Sequence, residues 1–223
     1  MTVQEIVTKV RSAIDELMEN DSEFLRQSTD EANLTRIIVD KISYALQHIF
    51  ENAPLDKLDS SVFSTLTSDE ASRFSIDSEL VGRLKLPTDT LRIIEARLSS
   101  WSHFPIPEPS TSQVYLMQQD TYARGSWDRP VNILTYDGTD RVLEMYCAKQ
   151  QSDTLKFVLI RKPGTYSVDS PSTNVNVPAA LQAALIYQIA GLSMLAFRED
   201  VAASLFQIAD RYMMNVQNNV IEQ

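Results

Sequence analysis

The sequence predicts an α+β protein: a four-helix bundle built from an N-terminal and a C-terminal helical pair, with an inserted antiparallel β-rich domain forming a small sheet or sandwich. Three observations predict it. Apolar residues recur at helical spacing over 3–18 and again over 34–49. Between 131 and 161 the pattern changes to short runs rich in β-branched and aromatic residues around an Asp-Gly pair. From Asn176 onward helical spacing returns, carried by alanines.

In chain order, Val3, Ile6, Val7, Val10, Ile14 and Leu17 form one stripe of a first helix that ends near Asn20–Ser22. A second helix begins near Thr29–Asp30. Either residue can cap the free N–H groups, and Asp30 and Glu31 suit the positive helix start. Its apolar face is Leu34, Ile37, Ile38, Ile42, Ala45, Leu46 and Ile49, and Pro54 stops it.

Residues 55–113 are mixed. The segment "VGRLKL" alternates and reads as a short strand running into Pro87. "TLRIIEARLSSW" fits either period: Leu91, Ile94, Leu98 and Trp101 make a helical stripe, while Arg92, Ile94, Ala96 and Leu98 share one face of a strand. "HFPIPEPS" is an extended connector because of its three prolines. "SQVYLMQQD" reads as one or two helical turns. "PVNILTY", "RVLEMYCA" and "LKFVLIRKP" then read as three strands of an antiparallel meander, the first two joined by a hairpin at Asp137–Gly138. With the earlier segments the sheet reaches four or five strands.

Asn176 can cap the next helix, with Pro178 in its first turn. Ala179, Ala180, Ala183, Ala184, Ala190 and Ala196 permit close helix approach. A break at "FRED" leads into a last helix with Val201, Leu205, Ile208, Ala209, Tyr212, Met213 and Val216. The polar tail that follows contains Val220 and Ile221 and is expected to fray unless a partner orders it. The expected domains are 1–60, 61–175 and 176–223, with the first and last packing together because neither pair alone buries a good core.

Composition narrows the function. Hydrophobic residues make up 43% of the 223, enough for a real core. The net charge of −10 argues against binding along a phosphate backbone, which needs a basic face to release counterions. Residues 1–60 hold 12 acidic and 6 basic side chains, so most of the surplus lies on the first helices and suits a basic protein partner or solubility. The single cysteine, Cys147, allows no intrachain disulfide and fits folding in a reducing cytosol. The N-terminal residues lack a signal-peptide pattern, and no apolar run is long enough for a membrane span.

No catalytic, cofactor or metal site emerges. His48 and His103 are the only histidines, and His48 has no i±4 neighbour with ligand chemistry except Tyr44 and Asn52, so it reads as a surface or interface residue. Cys147 sits in a strand pattern and reads as a buried core cysteine. None of the five glycines falls in a phosphate-cradling motif. Gly138 suits the hairpin, Gly164 a turn after Pro163, and Gly191 tight helix packing. The acidic pairs Asp15/Glu16 and Asp69/Glu70 read as solvated faces.

Five pieces in this order carry a resemblance: "GRLKLPTDTLRIIEARLSSW", "QQDTYARGSWDRPVNILTYDG", "RVLEMYC", "FVLIRKP", and "VPAALQAALIYQIAGLSMLAF" followed by "DVAASLFQIADRYM". Over residues 80–214 the chain resembles the head-to-tail connector, or adaptor-ring, proteins of short-tailed phages, crAss-like phages among them. The family pattern often has Phe after Leu-Pro-x-Asp, where this chain has Thr90. The resemblance implies a non-enzymatic virion protein of the tail or neck, assembled in the host cytoplasm. It implies a ring of identical subunits, commonly twelve, contacting the portal and other tail or ring proteins. DNA would pass through the channel without sequence-specific binding, and no membrane or cofactor is involved. It also implies that 91–101 is a strand. Tyr122, Arg124, Trp127 and Arg129 have the chemistry of interface anchors, and with Val220 and Ile221 they form the expected protein interface. An alternative from the residues alone is a small-ligand or glycan-binding module with a pocket around Trp127 and Tyr136.

Overall fold

A computed structural model describes residues 1–17, 28–120 and 123–214, with side chains of 28–32 excepted. The helices are α1 (Val3–Leu17), α2 (Ser28–Asn52), α3 (Ser68–Ala71), α4 (Gln113–Gln119), α5 (Gln182–Met194) and α6 (Glu199–Met214). The strands are β1 (Ser64–Thr65), β2 (Phe74–Ile76), β3 (Gly82–Lys85), β4 (Thr90–Leu98), β5 (Glu108–Pro109), β6 (Val131–Asp137), β7 (Asp140–Tyr146) and β8 (Leu155–Arg161). They fall into two compact units: Met1–Val62 with Lys162–Gln223, and Phe63–Arg161.

In the helical unit α5 is the hub, packing against α1, α2 and α6. Its sequence explains that position. Leu185, Ile186, Ile189, Ala190 and Met194 are buried around its circumference, so it has no wide polar face. The helices around it are amphipathic: α1 buries Val3, Ile6, Val10 and Ile14, and α6 buries Val201, Leu205, Ala209 and Met213. Gly191 lets α6 come close, since a Cβ there would lie 2.6 Å from the ring of Phe206. The first turn of α1 is closed by reciprocal bonds: the Thr2 N–H donates to Glu5 Oε2 at 2.9 Å, and the Glu5 N–H donates to Thr2 Oγ1 at 3.2 Å. The N–H groups of Val3 and Gln4 donate to the carbonyls of Thr173 and Pro171.

Two capping expectations are corrected. Helix α2 starts at Ser28, so Thr29 and Asp30 lie inside its first turn. Asn176 caps no helix. Its amide donates to the Ser61 carbonyl, and the helical segment opens instead with a 3₁₀ turn over Ala179–Leu181 behind Pro178. The expected end of the first helix near Asn20–Ser22 falls outside the described residues.

The second unit has two sheets, of order β1-β8-β4 and β2-β3-β7-β6-β5. One apolar cluster draws on both: Leu84, Leu143 and Met145 from the larger, Ala96, Leu98, Phe157 and Leu159 from the smaller, with Trp101. The alternation of β7 decides its two faces. Leu143 and Met145 enter this cluster, while Tyr146 joins Val81 and Ile133 in a second one packed against Val114 and Tyr115 of α4.

The ambiguous segment is strand β4. The hairpin forms as expected, with Asp137 paired to Asp140 and Gly138 at φ +61°. The three-strand meander does not form. β6 and β7 pair with each other, but β8 leaves them and pairs with β4 from Thr90↔Arg161 to Leu98↔Leu155. The cause lies in the turn before β8. Asp153 accepts hydrogen bonds from Ser100 Oγ (2.6 Å), Ser99 Oγ (3.3 Å) and the Lys149 N–H (2.9 Å), tying that turn to the end of β4. Burial works to raise the Asp153 pKa, and these bonds, with one from the Gln150 N–H, outweigh it and hold it below its ordinary value.

Candidate contact surface at the Gly125–Arg129 loop

The loop before β6 is built from beneath. The Gln118 side chain, on α4 and 5% exposed, accepts from the Gly125 N–H at 3.2 Å and donates to the Val114 carbonyl at 3.2 Å. The Gly125 carbonyl accepts the Cys147 S–H at 2.7 Å. The loop closes with the Arg129 N–H donating to the Ser126 carbonyl at 2.8 Å, and Ser126 Oγ bonds Asp128. Glycine is required at 125, because a Cβ would stand 2.6 Å from the Arg129 carbonyl oxygen. Pro130 is buried and leads into β6.

Cys147 is the pin of this arrangement, and its expected place is corrected. It follows β7 rather than lying in it, is half-buried, and has φ +73°. That turn aims its carbonyl at the indole N–H of Trp101 (3.2 Å) and its thiol at the loop. Burial pushes the thiol pKa up, and the Arg124 charge opposes this only in part.

The expected interface residues then separate. Trp127 is 47% exposed, with the Lys149 ammonium 4.8 Å from its ring centroid. It does not pack down into its own sheet. Arg129 is exposed. Arg124 is drawn inward: its guanidinium lies 5.4 Å over the Tyr146 ring and 3.6 Å from Glu79. The Tyr146 phenol is pushed well above its ordinary pKa by burial and by its bond to Glu144 (2.7 Å). Tyr122, Val220 and Ile221 lie outside the described residues. Tyr136 is 64% exposed but sits five residues beyond Val131 along β6. At about 3.3 Å per residue that is about 17 Å of strand, so β6 places Tyr136 and Trp127 toward opposite ends and forms no shared pocket from them.

Sequence reading missed the supports: Gln118, Lys149, Asp153 and the positive φ of Cys147. Only Gly125 carried a local signal. Among the described residues no group of three or more His, Cys, Asp or Glu could hold a metal ion, and no helix is long and apolar enough to cross a membrane.

The loop thus presents an exposed aromatic ring and two exposed cations, Lys149 and Arg129, on a hydrogen-bonded base. The family model described as SU10 adaptor protein matches residues 1–220. The chain belongs to the SU10 adaptor protein family. This makes it a phage structural adaptor, a component of the virion that interacts with other head and tail proteins. No match was found among curated proteins.

Proposed function

We propose that this adaptor assembles as a closed ring of identical subunits, commonly twelve as in the resemblance, between the portal and the tail of a short-tailed, crAss-like phage, and that DNA passes through its channel. The observation that carries this reading is the family match over residues 1–220. Ring closure needs two unlike faces on one chain that meet head to tail. The loop with Trp127, Lys149 and Arg129 supplies one candidate face. The helices supply another, with α1, α2, α5 and α6 read as a four-helix bundle.

Charge supports the channel role. The unit Met1–Val62 with Lys162–Gln223 holds 17 acidic and 9 basic residues, a net of −8, against −2 for Phe63–Arg161 with 13 and 11. A negative wall repels the phosphate backbone and lets DNA slide. Assembly takes place in the host cytoplasm before incorporation at the neck.

Native mass spectrometry of the purified chain, alone and with its portal, tests the ring. One dominant closed oligomer is expected, weakened at least tenfold by Trp127→Ala with Arg129→Glu. A strictly monomeric chain that also ignores the portal refutes it.

A further inference from the structure

Among the described residues, the large apolar side chains that the Phe63–Arg161 unit exposes are Phe104, Ile106, Leu116, Met117, Trp127 and Tyr136. All but Tyr136 gather at one end, and the topology brings them there. β5 runs parallel to β6 with Glu108 beside Ile133, so Ile106, two residues earlier, comes level with Val131. The connector is held at that level, since buried Asn132 donates from Nδ2 to the Pro105 carbonyl at 3.0 Å. α4 packs Val114 and Tyr115 beside Ile133 and reaches the Trp127 loop through Gln118, which bonds Gly125. Leu116 and Met117 lie within one turn of that Gln118. Single apolar residues on a surface are ordinary, whereas a gathered set marks a contact surface.

A partner of this surface meets side chains, not backbone. The Ser110 N–H donates to the Leu134 carbonyl, so the even-numbered positions of this edge turn their N–H groups toward β6. The outward positions are Pro107 and Pro109, which have no N–H to offer an added strand. The rim beside Trp127 is cationic: the Lys149 ammonium lies 4.8 Å from the ring centroid, and Arg129 is exposed. The acid of the loop, Asp128, is bonded by Ser126. An apolar surface with such a rim fits an apolar knob flanked by acids.

The same chain carries that knob. α5 and α6 form an antiparallel hairpin, with Gly191 facing Phe206 and Tyr187 stacked on Tyr212. At its tip Leu195 is 52% and Phe197 48% exposed. The tip holds its own shape, because the N–H groups of Phe197 and Arg198 both donate to the Met194 carbonyl, at 2.9 and 2.8 Å. Exposed Glu199 and Asp200 follow. Arg198 forks onto Asp200, and among the described residues no ion pair engages Glu199. Tyr212 and Met214, also exposed, flank no acid and follow Arg211, which has the wrong charge for this rim.

We propose that the α5–α6 tip of one copy docks on the Ile106, Leu116 and Trp127 surface of the next copy. Leu195 and Phe197 meet the apolar side chains, and Glu199 meets Lys149 and Arg129. Each chain then gives one tip and accepts one, which is the heterologous contact that a ring needs. The inference rests on the ring reading above and names the two faces that meet.

Photocross-linking in the assembled full chain tests it. A benzoylphenylalanine replaces Phe197, and isotope-labelled and unlabelled chains are mixed before assembly, so mass spectrometry separates links between copies from links within one. Links between copies to residues 104–117 or 127–129 are expected. Links only elsewhere, or only within one chain, overturn the proposal, and a closed oligomer in native mass spectrometry then leaves the ring reading standing. A chain that stays monomeric, with its portal as well, overturns both. Charge reversal gives a second reading without the photoreactive group. Glu199→Lys and Lys149→Glu should each weaken the oligomer about tenfold, and the two together should recover most of that loss. No loss from either change, or losses that simply add, overturn the contact.

Discussion

Arg161, the last residue of β8, is the residue whose removal the structure prices best. Its Nη2 donates to Glu70 Oε2 at 2.6 Å and its Nη1 to Glu70 Oε1 at 3.0 Å and Asp89 Oδ1 at 2.9 Å. The side chains of Arg161 and Glu70 are 24% and 16% exposed, and that of Asp89 is 45% exposed. The Arg161 bonds, then the Thr67 N–H, hold the Glu70 pKa at about 2 instead of 4.5. At 1.36 kcal/mol per unit, a shift of 2.5 units sets a ceiling of about 3.4 kcal/mol. Thr67 keeps its share when Arg161 is removed, and solvent screens the pair. We therefore expect Arg161→Met to cost about 2 kcal/mol, with Asp89 adding at most about 0.5 kcal/mol because it is more exposed.

The sign with pH follows from the depressed pKa. The stabilisation is fully present above pH 4.5 and is lost as pH falls from 4.5 toward 2. Both tryptophans, Trp101 and Trp127, lie in the Phe63–Arg161 unit, so their fluorescence in a urea titration reports its unfolding. The gap between native and Arg161→Met protein should be about 2 kcal/mol at pH 7 and less than half that near pH 2.5. A gap below 0.5 kcal/mol at pH 7, or one that ignores pH, refutes the reasoning.

Further predictions concern close approaches and the pin. Gly191→Ala gains about 1 kcal/mol of helix propensity but overpacks against Phe206 by about 1–3 kcal/mol, so it should be neutral to destabilising. In a Phe206→Leu background it should stabilise, and a double-mutant cycle read by circular dichroism should give a coupling of at least about 1 kcal/mol. Gly125→Ala meets backbone rather than a movable side chain; it should cost about 1–3 kcal/mol and raise iodide quenching of Trp127. The Cys147 thiol, with its pKa raised by burial, should alkylate at pH 8 at least tenfold more slowly than a free thiol peptide, and an equal rate would contradict its place beneath the loop.

The elements were legible in the sequence wherever one period dominated. The stripe Val3, Ile6, Val10, Ile14 could only be buried as a helix, and Asp137–Gly138 could only close a two-residue turn with Gly138 at positive φ. Segment 90–98 was undecidable by period because both faces of β4 are partly buried, so no clean alternation survives in it. The pairing of β8 was illegible for a different reason. Hydrophobic content says that a strand is buried, not which sheet receives it. Asp153 decides that with hydrogen bonds to Ser99 and Ser100, more than 50 positions away.

The Gly125–Arg129 loop follows the same rule one level higher. Trp127 and Arg129 could be read as anchors from residue type alone, and Arg124 could be read so too, although Tyr146 and Glu79 draw it inward. What separates the exposed pair from the inward one is the path of the chain through Gly125. That path is held by a thiol, 22 positions later, that only a backbone turn at positive φ can aim. Cys147 in turn bonds Trp101, so the loop is anchored to the ends of strands from both sheets. A loop so tied keeps its shape before any partner arrives. An interface that is ordered in advance loses less conformational entropy on association.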